Sequence, residues 1–167
     1  FTRNQHLVVG YDFKPATDWH LKVESYYQWL SKVPVETFSS SFSLLNTGAD
    51  FIFPDKGSLV NEGTGTNLGL ELTAEKFFSQ GYYAMVTVSL FDSKYKGSDG
   101  VERNTAFNGN YVANVLAGKE FKLGSTGRRF LTLDTKASFA GGRPYTPVNL
   151  EASRAAGKEV LYDNLAF

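Results

Sequence analysis

The chain contains two histidines, His6 and His20. Both occupy polar positions in stretches where apolar and polar residues alternate, which would place them on one face of neighbouring strands. Two imidazoles without a third ligand do not make a metal centre. Cysteine is absent, so thiolate ligands and disulfides are not available. Glu71 and Glu75 share a strand face about 13 Å apart at ~3.3 Å per residue, too far for the paired carboxylates of glycoside hydrolysis. "GTGTNLG", Gly63 to Gly69, lacks the spacing of a dinucleotide fingerprint and follows a long loop instead of a strand; loop flexibility accounts for it. No serine sits in a nucleophile elbow, and no His–Asp pair can be assigned to one. The expectation is a chain without catalytic residues, metal or cofactor, and not an enzyme.

Recognition is better served by "GGRPYTPVN". Gly141 and Gly142 permit unusual backbone angles, and Pro144 and Pro147 stiffen the exit. Arg143 and Tyr145 offer a charge and a stacking surface, and are the ligand-binding candidates. The competing account is a rim turn kept for folding.

Seventeen basic and seventeen acidic residues cancel, and no basic run marks a nucleic-acid or anionic-lipid patch. Nucleic acid is therefore not an expected partner. No window approaches eighteen consecutive apolar residues, which removes a transmembrane helix but not a transmembrane barrel, whose strands carry a weaker hydropathy signal. The chain begins with Phe1 and shows no leader pattern, so it reads as mature or cut from something longer.

The elements that must position these residues follow a period of two. About six strands are expected. They lie near His6–Phe13, in "WHLKVESYYQW", in "TNLGLELTAEKFF", "YYAMVTVSLFDSKY" and "NYVANVLAGKEFKL", and in "RFLTLDTKASFAGG". Helix is limited to one short turn around "EASRAAG". Between Trp29 and about Gly65 the sequence is polar, has Pro34 and Pro54 as breakers, and shows no pattern of its own. Connections alternate short and long, as in an outer-membrane barrel with tight periplasmic turns and extended outer loops. Eleven residues at about 3.3 Å each, tilted near 45°, span roughly 25 Å, the height of a lipid-facing apolar band.

Alternation alone leaves the inside undecided. In a soluble sheet the apolar row meets a core; in a membrane barrel it meets lipid. Aromatics cluster at strand ends, Trp19, Phe77, Phe78, Tyr82, Tyr83, Phe121 and Phe130 toward the short turns, and Trp29, Phe91, Tyr95, Tyr111 and Phe139 toward the long loops. Two interfacial girdles would look like this. So would the general preference of aromatics for strands.

From "TNLGLELTAEKFFSQGYYAMVTVSLFDSKYKG" through "ERNTAFNGNYVANVLAGKEF" to "LTLDTKASFAGGRPYTPVN", the sequence resembles the later barrel strands of a TonB-dependent outer-membrane receptor. The resemblance is to the branch with a carboxypeptidase-regulatory-like N-terminal domain. It rests on the order "G-x-E-L", "R-N-T-x-F-N" and "G-G-R-x-Y-T-P", and is strongest from about Gly63 to Asn149.

The resemblance implies an all-β fold of antiparallel up-and-down strands, with residues 1–167 forming a fragment of a transmembrane β-barrel of about 22 strands. The plug and remaining strands would lie elsewhere. It also implies an outer-membrane location, contact with lipid, a small nutrient ligand, and coupling to TonB through an N-terminal region not in this sequence. The readings kept beside it are a soluble all-β ligand- or carbohydrate-binding module and a small self-contained outer-membrane barrel.

Overall fold

The computed structural model describes residues 1–47, 57–124, 128–143 and 147–160. Seven antiparallel strands form one sheet: β1 (Arg3–Ala16), β2 (Trp19–Glu36), β3 (Leu59–Ser79), β4 (Tyr82–Lys96), β5 (Glu102–Asn104), β6 (Tyr111–Leu123) and β7 (Arg129–Ala140). The order is β1-β2-β3-β4-β6-β7, with short β5 pairing beside β4. The all-β, up-and-down architecture is thus as expected. The sheet is open, with β1 and β7 at its edges.

Successive strands are neighbours, so tight connections gather at one end and long ones at the other. Residues 17–18 join β1 to β2 and residues 80–81 join β3 to β4. Gln80 and Gly81 both have positive φ, 52° and 80°. That is the backbone a two-residue hairpin requires to match strand twist. Residues 37–47, 57–58 and 97–110 lie at the opposite end. A short helix, α1 (Leu150–Ala156), follows β7; the Asn149 side chain accepts a hydrogen bond from the Ala152 amide, and Gly157 closes it in the left-handed region.

The structure changes two features of the sequence reading. Strand β2 continues through Pro34 to Glu36 and β3 already begins at Leu59, so both ends of the patternless stretch after Trp29 are strand. Its alternation is hidden because Lys32 has φ 57° and the β2–β3 register shifts twice, between Leu30 and Val33 and between Val33 and Pro34. Each shift inserts residues that break a period of two. The glycines of "GTGTNLG" are likewise not loop hinges. Gly63, Gly65 and Gly69 lie inside β3, where an added Cβ would collide with Val35, Leu45 and Tyr26 respectively.

Register fixes the two faces. Leu21, Ala74, Val86, Val115 and Ala137 stand in one row, and Tyr11, Val23, Leu72, Val88, Ala113 and Phe139 in the next. Between the row of Lys76 and the row of Asp92 this face carries no charged residue on any of the six long strands. It is nevertheless open to the surroundings: Leu7 is 67% exposed, Leu133 58% and Leu70 45%. The only buried apolar residues among those described are Val33, Val35 and Tyr95, at the long-loop end.

The aromatic ends divide between the faces. Trp19, Tyr82 and Phe121 near the turns, and Trp29, Tyr111 and Phe139 near the loops, stand on the apolar side. Tyr83, Phe91, Tyr95 and Phe130 have the opposite parity and face the polar side, while Phe77 stacks on His20. Only about half of these strand-end aromatics therefore share the apolar face.

Candidate functional site

The polar face is ordered in rows by the same register. His6, Gln28, Asn67 and Ser93 form one; Val8, Tyr26, Gly69 and Phe91 the next; Gly10, Glu24, Glu71 and Ser89 the third. Gly69 lets the Tyr26 ring reach across the neighbouring strand, where a Cβ would overlap the ring and its hydroxyl. His6 meets that ring edge-on, with centroids 5.9 Å apart. Tyr83 crosses Gly118 in the same way, and its hydroxyl donates to Asp134 at 2.8 Å.

A hydrogen-bond ladder crosses the first row toward the loops. Asn67 Nδ2 donates to Gln28 Oε1 at 2.5 Å, Ser93 Oγ to Asn67 Oδ1 at 2.6 Å, and Thr105 Oγ1 to Ser93 Oγ at 2.9 Å. Asn108, only 3% exposed, completes it. Its Oδ1 accepts from the Ser93 amide, while its Nδ2 donates to Asp92 at 2.9 Å and Asn104 at 3.0 Å. The Ala106 amide donates to Asn46 Oδ1 at 2.8 Å. Loop 97–110 is thereby clamped to β3, β4 and the 3-10 turn Leu44–Asn46.

Ion pairing fixes the outer part of that loop. Arg103 donates through both terminal nitrogens to Asp99, at 2.9 and 2.6 Å. The guanidinium holds the Asp99 carboxyl below its ordinary value of 3.8, against the opposing effect of burial. At the opposite end of the sheet the turn residue Asp18 is lowered by hydrogen bonds from Lys76 and Ser79. Lys76 is 4% exposed, and its ammonium reaches Asp18 at 2.7 Å while lying 4.2 Å over the Tyr82 ring.

Beneath the clamped loop lies a concavity of about 210 Å³ lined by Tyr26, Gln28, Asn67, Phe91, Ser93 and Phe107, among others. A second, of about 320 Å³, adjoins it through Tyr26 and Gln28 and reaches His6, Glu24 and Glu71. Together they make a groove with aromatic surfaces, side-chain amides and carboxylates. Such a surface suits a polar ligand held by hydrogen bonds and one stacking face. Lys22 pairs with Glu24 at 2.6 Å, and Glu71 stands opposite Glu24 across the strands.

His6 and His20 do not meet, since His6 is opposite Gln28 whereas His20 is opposite Glu75, at the other end of β2. His20 instead contacts Asp12 at 2.8 Å through Nε2 and Glu75 at 3.7 Å through Nδ1. Among the described residues no group of three or more potential ligands could hold a metal.

Arg143 is exposed just beyond β7, and Tyr145 lies outside the described residues. The structure gives "GGRPYTP" one clear folding element: Gly141 donates its amide to Tyr111 O at 2.9 Å and packs against the backbone of Gly109 so closely that no Cβ fits. The motif "R-N-T-x-F-N" also acquires a role the sequence did not reveal, since Arg103, Asn104, Thr105 and Asn108 are the clamp itself. Its partners, Asp92, Ser93 and Asp99, precede it in the chain at positions no local pattern marks.

No known family model, curated protein or solved structure matches the chain.

Proposed function

We propose that this chain forms part of the barrel wall of a TonB-dependent outer-membrane receptor, with its apolar face toward lipid and its polar face toward a wet lumen. The observation that carries the reading is the exposed apolar band, free of charge between the rows of Lys76 and Asp92, that runs across six long strands. Apolar area of that extent on a water-facing surface is unfavourable by ~25 cal/mol per Å², whereas hydrocarbon accepts it. The polar face supplies the complement, a hydrogen-bonded surface with a groove below a clamped outer loop.

Strand lengths and connections support the same reading. Trp19 and Trp29 bracket the apolar row of β2, about 33 Å apart along the strand at ~3.3 Å per residue. With a tilt near 45° this matches an apolar band of about 25 Å. Tight turns lie at one rim and long loops at the other. The groove around Tyr26, Asn67 and Phe107 would contact a small nutrient during uptake, and the exposed Arg143 would extend that contact at the rim. Coupling to TonB belongs to this proposal through a region outside these residues.

Nitroxide labels test the orientation in the full-length protein reconstituted in bilayers. Labels at Val23 and Leu72 should be reached by oxygen and shielded from a water-soluble nickel chelate, and labels at Glu71 and Thr87 should show the reverse. Equal chelate access at all four positions rejects the membrane wall and favours a water-exposed binding module.

A further inference from the structure

The apolar face is not uniformly filled. Near the short-turn rim, β4, β6 and β7 leave a dent of about 450 Å³ lined by Tyr82, Ala84, Ala117, Lys119, Leu133 and Thr135, with neighbouring backbone. These six residues occupy two adjacent rows of this face, Tyr82–Lys119–Leu133 and Ala84–Ala117–Thr135. The alanines floor it, Tyr82 and Leu133 wall it, and the next row toward mid-sheet is the apolar Val86–Val115–Ala137.

The charge at this dent is placed asymmetrically. Lys119 lies on its turn-facing side, exposed, with its ammonium 5.1 Å from the Phe121 ring centroid. Among the described residues it has no carboxylate within ion-pair distance. Lys76, another cation at this end of the face, differs because Asp18 neutralises it. One side of the dent therefore offers an uncompensated cation, and the other opens onto hydrocarbon-like surface.

We propose that this dent is a binding site for a single phospholipid, its phosphate on the Lys119 ammonium and one acyl chain along Ala84 and Ala117 toward Val115. The inference rests on the barrel-wall reading, which places the short-turn rim at headgroup depth. Charge complementarity selects the occupant: a cation at the polar boundary and an apolar trough below it match an anionic headgroup joined to a chain. Tyr82 adds an amphipathic ring at the same depth, where such rings settle at membrane interfaces.

The test uses the full-length protein in detergent, stripped of lipid and titrated with phosphatidylglycerol, with retained lipid counted by native mass spectrometry. The unsubstituted protein should retain one tightly held phosphatidylglycerol. Lys119→Gln should lower its occupancy about tenfold, Lys119→Arg should preserve it, and Ala117→Phe should abolish it by filling the trough. Thr132→Val, on the polar face of β7 opposite Glu120, leaves trough and charge in place and should change nothing, so it controls for general damage to β7. Unchanged retention in both Lys119→Gln and Ala117→Phe overturns the site. Displacement of the lipid by millimolar inorganic phosphate also overturns it, because a bare anion site would need no chain. Failure of the unsubstituted protein to insert into bilayers removes the barrel wall as well; normal insertion without selective retention removes only the lipid site.

Discussion

The ring of Tyr26 on β2 crosses Gly69 on β3, occupying the space that a side chain at position 69 would fill. The two residues are direct cross-strand partners, so an aromatic side chain covers backbone that would otherwise be bare. This contact sits between the two concavities of the polar face, and both use Tyr26 as a wall. Holding the ring down keeps the groove open. Glycine here serves a close approach and not a turn, since β3 is continuous through it.

Gly69→Ala should consequently destabilise the sheet by about 1–3 kcal/mol, the usual cost of overpacking. Denaturant unfolding in detergent measures it. The cause is separable in a double-mutant cycle: in a Tyr26→Ala background the same substitution should cost little, because the atoms it strikes are gone. An equal cost in both backgrounds would show that the glycine is needed for another reason.

Charge on the two faces should be tolerated very differently. Val23 stands in the middle of the charge-free band, and Lys136 stands on the polar face opposite Leu116. Val23→Arg should cost about 2–4 kcal/mol if it lies near a bilayer midplane, while Lys136→Arg should lie within measurement error. Folding equilibria into vesicles at graded urea provide the comparison. Equal tolerance at both positions would contradict the orientation of the sheet.

Much of this arrangement is legible before folding, and the exceptions have identifiable causes. The apolar rows of β2, β3 and β4 can be read from alternation because neither face imposes any other demand on those residues. At the loop end, Lys32 with φ 57° and two register shifts destroy the period, so Val33 and Val35 look like loop residues although they are nearly fully buried. Tyr83, Phe91 and Tyr95 look like girdle residues because chain position is visible and parity across neighbouring strands is not. The clamp is hidden for a third reason. Asn108 finds Ser93 and Asp92 through a hairpin closure, and a short polar motif carries no trace of which distant groups it will satisfy. Arg143 could be chosen from composition alone, whereas the first glycine of the preceding "GG" is explained by the approach of Gly141 to Gly109.

The Asp99–Arg103 pair makes the outer loop sensitive to acid. Asp99 has a lowered folded-state value, so its contribution is present above the unfolded carboxylate value of 3.8 and is lost as pH falls below it through the folded value. Limited proteolysis of loop 97–110 should therefore be slow at pH 7 and accelerate below about pH 4, where acid carboxylates protonate. Arg103→Ala should make cleavage fast already at pH 7 and flatten the acid dependence. An unaltered acid profile in that variant would place the sensitivity elsewhere.

Asn108 tests the link between loop and groove. Its side chain accepts from the Ser93 amide and donates to Asp92 and Asn104 in a nearly water-free position. Asn108→Ala removes all three contacts and leaves the Ser93 amide without that acceptor, an imbalance worth about 1–3 kcal/mol. Asn108→Asp keeps the acceptor for the amide but removes the donor and sets a second carboxylate beside Asp92. The alanine variant should free loop 97–110, and with it Phe107, which forms one wall of the smaller concavity. Hydrogen exchange should then rise at Ser93 and across 104–108 while β1, the short-turn rim and β7 stay protected. A ligand that uses the groove should bind the alanine and aspartate variants more weakly than the unsubstituted protein. Exchange confined to residue 108 and its immediate neighbours would mean that the loop is held chiefly by Arg103 and Asn46 instead.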